Sequence, residues 1–329
     1  MAAKYVKPYY PFIEYDVFAY WEINLYCNYD CSYCYFYLCR KKYDPKYSGH
    51  SVEKLRRAFD NITGTWLIHM SGGEPLFQPD LVELCRRLTK RHYVSINSNL
   101  STPAIYDFAD EVDPRRVPRI LASLHVDQRR NLDDFIDKIR YLRDRGFKVF
   151  VSQVMYPPIL NHFEKCFQYL KRRGVIIKPQ VFRGIYRMKR YPRGYTEEER
   201  CLFTRYYNES REDSDDEEGP VSIEDQILEG DFSFKGMRCN AGRNYVYLRF
   251  NGDLMRCHGE SRRLGNIFEG QIDLFKKARL CRAQTCPCPH FGLRHAEGIP
   301  SLMGFNFGTV RSMSYRTYLF LTWDIRRHF

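Results

Sequence analysis

No apolar run in the 329-residue chain reaches the length of a membrane span, which excludes a transmembrane helix. Residues 1–10 contain neither a basic n-region nor an apolar h-region, so no secretory signal is read and a cytoplasmic protein is expected. No internal repeat of solenoid period is present, which removes the stacked-repeat architectures. In a reducing compartment the 12 cysteines do not form a disulfide framework, and clusters of them mean metal. The length suits one large or two modest domains with ample core. The 26 Tyr and 23 Phe exceed what a bare core requires, so some of them are expected to line a cavity. A formal net charge of +12 favours anionic partners. The basic residues are scattered, however, over 40–42, 86–91, 171–173 and 183–193, and each group reads first as a solvated face or helix end.

The densest chemistry is Cys27, Cys31 and Cys34, a C-x3-C-x2-C run directly after the apolar stretch 17–25. Three thiolates so close in sequence can wrap one inorganic centre without help from the tertiary fold. Iron–sulfur clusters take cysteine thiolates, commonly four per four-iron cube, so three protein ligands leave one iron open. An open position separates a working metal site from a structural one. The plain alternative is a zinc knuckle. A second segment, His69-Met70-Ser71-Gly72-Gly73-Glu74-Pro75, follows downstream.

Together these segments resemble the radical S-adenosylmethionine (SAM) enzymes, with aromatic Tyr33 just before the last cysteine. The resemblance implies that the open iron chelates the amino and carboxylate groups of SAM, and that electron transfer cleaves SAM to a 5'-deoxyadenosyl radical. It places Tyr33 near the adenine and gives Gly72, Gly73 and Glu74 the methionyl ammonium. Backbone carbonyls and a carboxylate accept from an ammonium, and glycines let the backbone approach closely.

Along the chain, strands are expected over 17–25, 65–70, 92–97, 119–125, 148–155 and 175–182. Helices are expected over 52–61 with Ser51 as N-cap, 79–91, 102–110, 132–145 and 160–173, the last two ended by Gly146 and Gly174. Such alternation indicates βαβ units and a parallel sheet. Six units match the partial (β/α)6 parallel barrel that the resemblance implies, with ligands at the C-terminal strand ends. The domain reading is a lead-in over 1–16, the barrel over 17–200, an acidic linker over 201–235, an auxiliary-cluster domain over 236–295 and a tail over 296–329. Residues 208–219 are acidic and of low complexity, hence a mobile insertion or, as the rival, a partner-binding patch.

The C-terminal part holds Cys239, Cys257, Cys281, Cys286 and Cys288. Residues 245–250 read as a strand, Asn251-Gly252 as a hairpin turn, and 253–256 as the return to Cys257, which brings Cys239 and Cys257 near one another. A short helix is expected over 273–280. This part resembles the twitch extension, a shortened relative of the SPASM domain, which carries an auxiliary four-iron cluster. The C-x17-C spacing, the turn glycine and Gly265-Asn266-Ile267 match, whereas the close departs, with Cys281-x4-Cys286-x-Cys288 in place of C-x2-C. Cys286 and Cys288 are the favoured ligands, Cys281 the substitute, and a structural four-cysteine zinc site the alternative.

Polar residues on barrel strands suggest cavity contacts: Asn97 and Asn99 after strand three, Ser123 and His125 on strand four, Gln153 on strand five, Gln180 on strand six. The resemblance gives Ser123, then His125, to the ribose or methionyl carboxylate of SAM. Arg183 is expected to meet the SAM carboxylate or an anionic substrate. The expected activity is hydrogen abstraction from a small polar substrate of the sugar, aminocyclitol or nucleoside class. An electron donor such as flavodoxin or ferredoxin is implied, with no membrane partner. The first rival is maturation of a ribosomally made peptide, disfavoured because strand one starts near Val17 and leaves no space for an N-terminal recognition domain. The second is a zinc-stabilised RNA-binding module, which leaves Gly72-Gly73-Glu74 and the six-unit alternation unexplained.

Overall fold

The computed structural model describes residues 13–34, 49–212, 235–236 and 238–283. The first half alternates strand and helix: β1 (Val17–Asn24), α1 (Val52–Asp60), β2 (Trp66–Gly72), α2 (Leu81–Leu88), β3 (Tyr93–Ser98), α3 (Ala104–Glu111), β4 (Ile120–Ser123), α4 (Leu132–Asp144), β5 (Val149–Met155), α5 (Leu160–Lys171) and β6 (Ile177–Val181). Then come a small hairpin of β7 (Ile185–Tyr186) and β8 (Lys189–Arg190), and α6 (Glu197–Glu212). The C-terminal part supplies β9 (Arg238–Cys239), β10 (Tyr245–Leu248), β11 (Asp253–Cys257), β12 (Glu260–Asn266), β13 (Gln271–Ile272) and β14 (Arg279–Leu280).

Strands β1 to β6 lie side by side in chain order, each parallel to the next, as the six-unit reading requires. Strand β10 pairs parallel with the free side of β1, and β11, β12 and β13 continue antiparallel, giving one ten-stranded α/β sheet. Every residue of β1 and β2 is buried, the signature of parallel strands covered on both faces. Alternation then sorts the side chains. Val17, Ala19, Trp21 and Ile23 face the helices and the large core. Phe18 and Tyr20 face the other way, joining Leu67, Tyr245, Tyr247 and Cys239 in a second cluster. Helix α1 is capped as expected, with Ser51 accepting from the Lys54 N–H. Among the described residues no helix is long and apolar enough to cross a membrane.

Two expectations fail. Residues 273–280 are not helical: the Asp273 and Phe275 amides donate to Leu264 and Gly242 carbonyls at 2.8 and 2.7 Å, and β14 pairs with β9. Tertiary partners outbid a weak helical pattern here. Residues 201–212 are not linker but the body of α6, which buries Phe203, Tyr206 and Tyr207. A capping box starts it: Thr196 Oγ1 accepts from the Glu199 N–H at 3.2 Å, and Glu199 Oε2 accepts from the Thr196 N–H at 2.8 Å. The rest of the acidic run, and the tail, lie outside the described residues.

Before β3, buried His92 accepts the Trp66 N–H at Nδ1, 3.1 Å, and burial pushes its pKa down to about 4. A histidine held neutral stabilises the fold fully above its unfolded value, and that contribution is lost as pH falls toward the folded value. From pH 6.5 to 4 the loss attributable to His92 is up to about 3 kcal/mol. Urea unfolding of wild type and His92→Gln across that range should therefore converge as pH falls. A constant gap would contradict it.

Candidate active site

The site is built where the loops after β1 and β2 are zipped together. The Gly73 and Glu74 amides donate to the Asn24 and Tyr26 carbonyls at 3.0 and 2.7 Å, and Asn24 Nδ2 donates to the Glu74 carbonyl at 2.8 Å. Such close backbone contact explains the glycine pair. Gly72 has φ +121°, and a Cβ at either glycine would overlap a carbonyl of the facing loop, Asn24 for Gly72 and Tyr26 for Gly73.

Glu74 is fully buried and its carboxylate braces the neighbouring loop. Oε1 accepts from Leu76 N–H at 3.0 Å and Ser98 Oγ at 2.7 Å, and Oε2 accepts from Asn99 N–H at 2.6 Å. Burial raises its pKa, against these hydrogen bonds. Buried Arg129 ties the next two loops together, donating to the carbonyls of Leu124, at 3.0 Å, and Asn99.

The cysteine loop sits on this frame. Cys27 Sγ accepts from the Tyr29 N–H at 3.4 Å and faces Asn99 Nδ2 at 3.9 Å, while the Cys34 amide donates to the Cys31 carbonyl at 3.1 Å. His125, in the left-handed region at φ 50°, aims Nδ1 at both Cys31 Sγ, 3.3 Å, and the Tyr33 hydroxyl, 3.2 Å. Burial lowers the His125 pKa to about 4, so the ring is neutral. The Tyr33 hydroxyl donates to Asp127 at 3.0 Å and receives Gln153 Nε2 at 3.2 Å.

Cys27, Cys31, Cys34, Tyr33, Gly72, Gly73 and Glu74 all line one cavity of about 310 Å³. Asn97, Asn99, Ser123, His125, Gln180 and Arg183 complete the set read from the sequence, and Ser123 Oγ donates to Asn97 Oδ1 at 2.8 Å. Gln153 is the exception. It stands behind Tyr33, with Oε1 receiving the Val126 N–H at 3.0 Å, and does not face the cavity. His69 and Ser71, from the segment read together with the glycine pair, also line it, as do Tyr20, Arg119, Lys178 and His258, to which no SAM contact is assigned from sequence. Alternation was the available signal: Arg119 and Leu121 are two-residue steps back from Ser123 on one face of β4.

The donor set fits a cationic iron centre. Burial, with Asp127 and the other two cysteines close by, raises the Cys31 pKa strongly. Three thiols so placed resist ionisation together unless a cation joins them. Among the described residues no three His, Cys, Asp or Glu side chains converge as ligands of one bare ion would. A cube binds each thiolate at a different iron and does not require that convergence.

Residues 21–170 match the family model described as the radical SAM superfamily. This stretch is a radical SAM domain. The protein is accordingly an enzyme whose cofactor is a [4Fe–4S] cluster with SAM. Among solved structures, native anSMEcpe with bound AdoMet is 15% identical at a TM-score of 0.51, covering 77% of this chain and 78% of that one. Streptococcus suis SuiB bound to S-adenosylmethionine is 14% identical at 0.53, covering 78% of this chain and 64% of that one. Native anSMEcpe with bound AdoMet and Cp18Cys peptide is 16% identical at 0.50, covering 77% of each chain. At such identities the likeness is one of fold. No curated protein matches the chain.

Beyond the radical SAM domain, Cys239 ends β9, Cys257 ends β11, and Cys281 follows β14. Pairing of Arg279 with Cys239, and a 2.8 Å bond from the Gly236 amide to the Cys281 carbonyl, draw these segments together. All three cysteines pack on the second core cluster. Cys286, Cys288 and His290 lie outside the described residues, as does Cys39. His258, adjacent to Cys257, stacks on Tyr247 at 4.0 Å between ring centres, meets Tyr20 edge-on at 4.7 Å, and reaches the cavity wall.

Proposed function

We propose that Cys27, Cys31 and Cys34 hold the cluster and that the enzyme abstracts hydrogen from a small polar substrate of the sugar, aminocyclitol or nucleoside class. The observation that carries this reading is the gathering of the cysteine loop, the Gly72-Gly73-Glu74 turn and Ser123 around one cavity. When bound, the cluster and SAM supply a 5'-deoxyadenosyl radical. The chain's own part is to bind, orient and exclude water. Backbone groups at Gly72 and Gly73 approach the methionyl ammonium, Tyr33 stands by the adenine, and Ser123 with Asn97 offers a hydrogen-bonding pair to the ribose. Glu74 acts through the loop it braces. Arg183, on the rim, takes the SAM carboxylate. Cavity size supports a small ligand.

Cys239 and Cys257, with two of Cys281, Cys286 and Cys288, are proposed as ligands of a second, auxiliary cluster. Such a cluster would supply an electron-transfer centre beside the second core cluster, on which the Cys239, Cys257 and Cys281 side chains pack. A second reading, maturation of a ribosomally made peptide, is favoured by the likeness in fold to anSMEcpe with a bound peptide.

The test is anaerobic incubation of dithionite-reduced protein with SAM, following 5'-deoxyadenosine and methionine. Release at equal amounts is expected, falling at least about 1000-fold in Cys31→Ala, since removal of a group required for the chemistry leaves only background. No 5'-deoxyadenosine from protein with its full iron complement would overturn the reading.

A further inference from the structure

His125 is a non-glycine residue in the left-handed region, a conformation that persists only where its surroundings over-determine it. Here they do. Its carbonyl accepts from the Gln128 and Arg129 amides at 2.9 and 3.0 Å, and the Leu124 amide before it donates to the Ser152 carbonyl at 2.9 Å. The Val126 amide after it donates to Gln153 Oε1 at 3.0 Å. The ring is gripped as well. Tyr33 stacks on it with ring centres 6.1 Å apart, and Tyr29 meets it edge-on at 5.8 Å. This frame aims Nδ1 at Cys31 Sγ, 3.3 Å, and at the Tyr33 oxygen, 3.2 Å.

The place of the proton follows from the partners. A phenol has one proton, and Tyr33 gives it to the Asp127 carboxylate at 3.0 Å. Gln153 Nε2 donates to the same phenol oxygen at 3.2 Å, so that oxygen offers Nδ1 only a lone pair. A cysteine that ligates iron is a thiolate and has no proton to offer either. With acceptors on both sides, Nδ1 carries the proton and its N–H faces the sulfur. We propose that His125 is an N–H···S donor to the Cys31 thiolate of the bound cluster, and that it raises the potential at which the cluster takes up an electron. This rests on reading Cys27, Cys31 and Cys34 as the cluster's ligands. Reduction adds one electron, from an external one-electron donor, to the irons and their sulfurs. A hydrogen bond to sulfur is stronger in the more negative state and so favours reduction. Two other donors face a sulfur of this loop, the Tyr29 amide and Asn99 Nδ2, at 3.4 and 3.9 Å from Cys27, and both contacts are longer than that of His125.

The test is a potentiometric titration of the anaerobic holoenzyme, followed by EPR on the signal that changes when SAM is added. In His125→Phe, which keeps a ring and loses the donor, the reduced-to-oxidised ratio at a fixed applied potential should fall about tenfold, equivalent to about 59 mV for one electron. His125→Asn should recover most of that loss, because its amide offers an N–H near the place of Nδ1 and asparagine tolerates the left-handed backbone. Iron content should match wild type in both. Pulsed EPR on wild type carrying isotope-labelled histidine reads the contact without any variant, and a histidine nitrogen coupled to the reduced cluster is expected. An unchanged potential in iron-replete His125→Phe would overturn the proposal, as would a wild-type spectrum with no coupled histidine nitrogen. Weaker SAM binding at an unchanged potential would assign His125 to SAM instead. A wild type with no SAM-responsive cluster signal would sink the reading of the three cysteines, and the proposal with it. A SAM-responsive signal whose potential is indifferent to His125 sinks the proposal alone.

Discussion

Alanine at Gly73 is expected to lower SAM cleavage at least about 100-fold while the chain still folds. The added methyl group would overlap the Tyr26 carbonyl and come within 2.8 Å of the Tyr26 nitrogen. Both are backbone atoms, so no side-chain rotation relieves the clash. The only remedy is to push the loop after β1 away from the loop after β2. Doing so breaks the bond from the Glu74 amide to the Tyr26 carbonyl, 2.7 Å, and moves Cys27, the next residue along. Stability should fall by only about 1–3 kcal/mol, the usual cost of overpacking. Catalysis should fall further, because a displacement of about 1 Å at reacting groups costs about 100-fold. Gly174→Ala is the control, since nothing lies within 4 Å of its Cβ and only its φ of +77° opposes the change. Wild-type SAM affinity and turnover in Gly73→Ala would mean that the two loops are not held together as described.

Most of the site was legible because its residues announce themselves locally. Cysteines at short spacing, a glycine pair before a glutamate, and polar residues at strand ends need no knowledge of the tertiary fold. The six-unit parallel order was legible for a similar reason, since each unit carries its own periodicity. What escaped depends on distant pairing. Nothing near residues 245–248 signals that β10 lies parallel against β1, some 225 residues earlier in the contact between Tyr247 and Glu22. That pairing brings His258, stacked on Tyr247, to the cavity. Gln153 was misjudged because alternation alone does not tell which face of β5 meets the loop after β4. Arg119 was passed over as one basic residue among 52 Lys and Arg, although its two-residue step from Leu121 placed it on the Ser123 face. The capping box at Thr196 and Glu199 was a local signal that went unused.

The other large effect concerns the three cysteines. On the proposed assignment each thiolate removed takes away an iron ligand. Substituting Cys27, Cys31 and Cys34 together should therefore empty the site and abolish SAM cleavage. Cys239, Cys257 and Cys281 pack on a separate core cluster, so an auxiliary cluster held there should survive.

Iron and acid-labile sulfide content, measured anaerobically with the visible spectrum, tests the central claim most directly. Wild type should hold about eight irons per chain, two four-iron cubes, and Cys27→Ala/Cys31→Ala/Cys34→Ala about four. About four irons in wild type, all lost in the variant, would keep the radical SAM site and remove the second cluster. A colourless protein holding zinc would contradict the account.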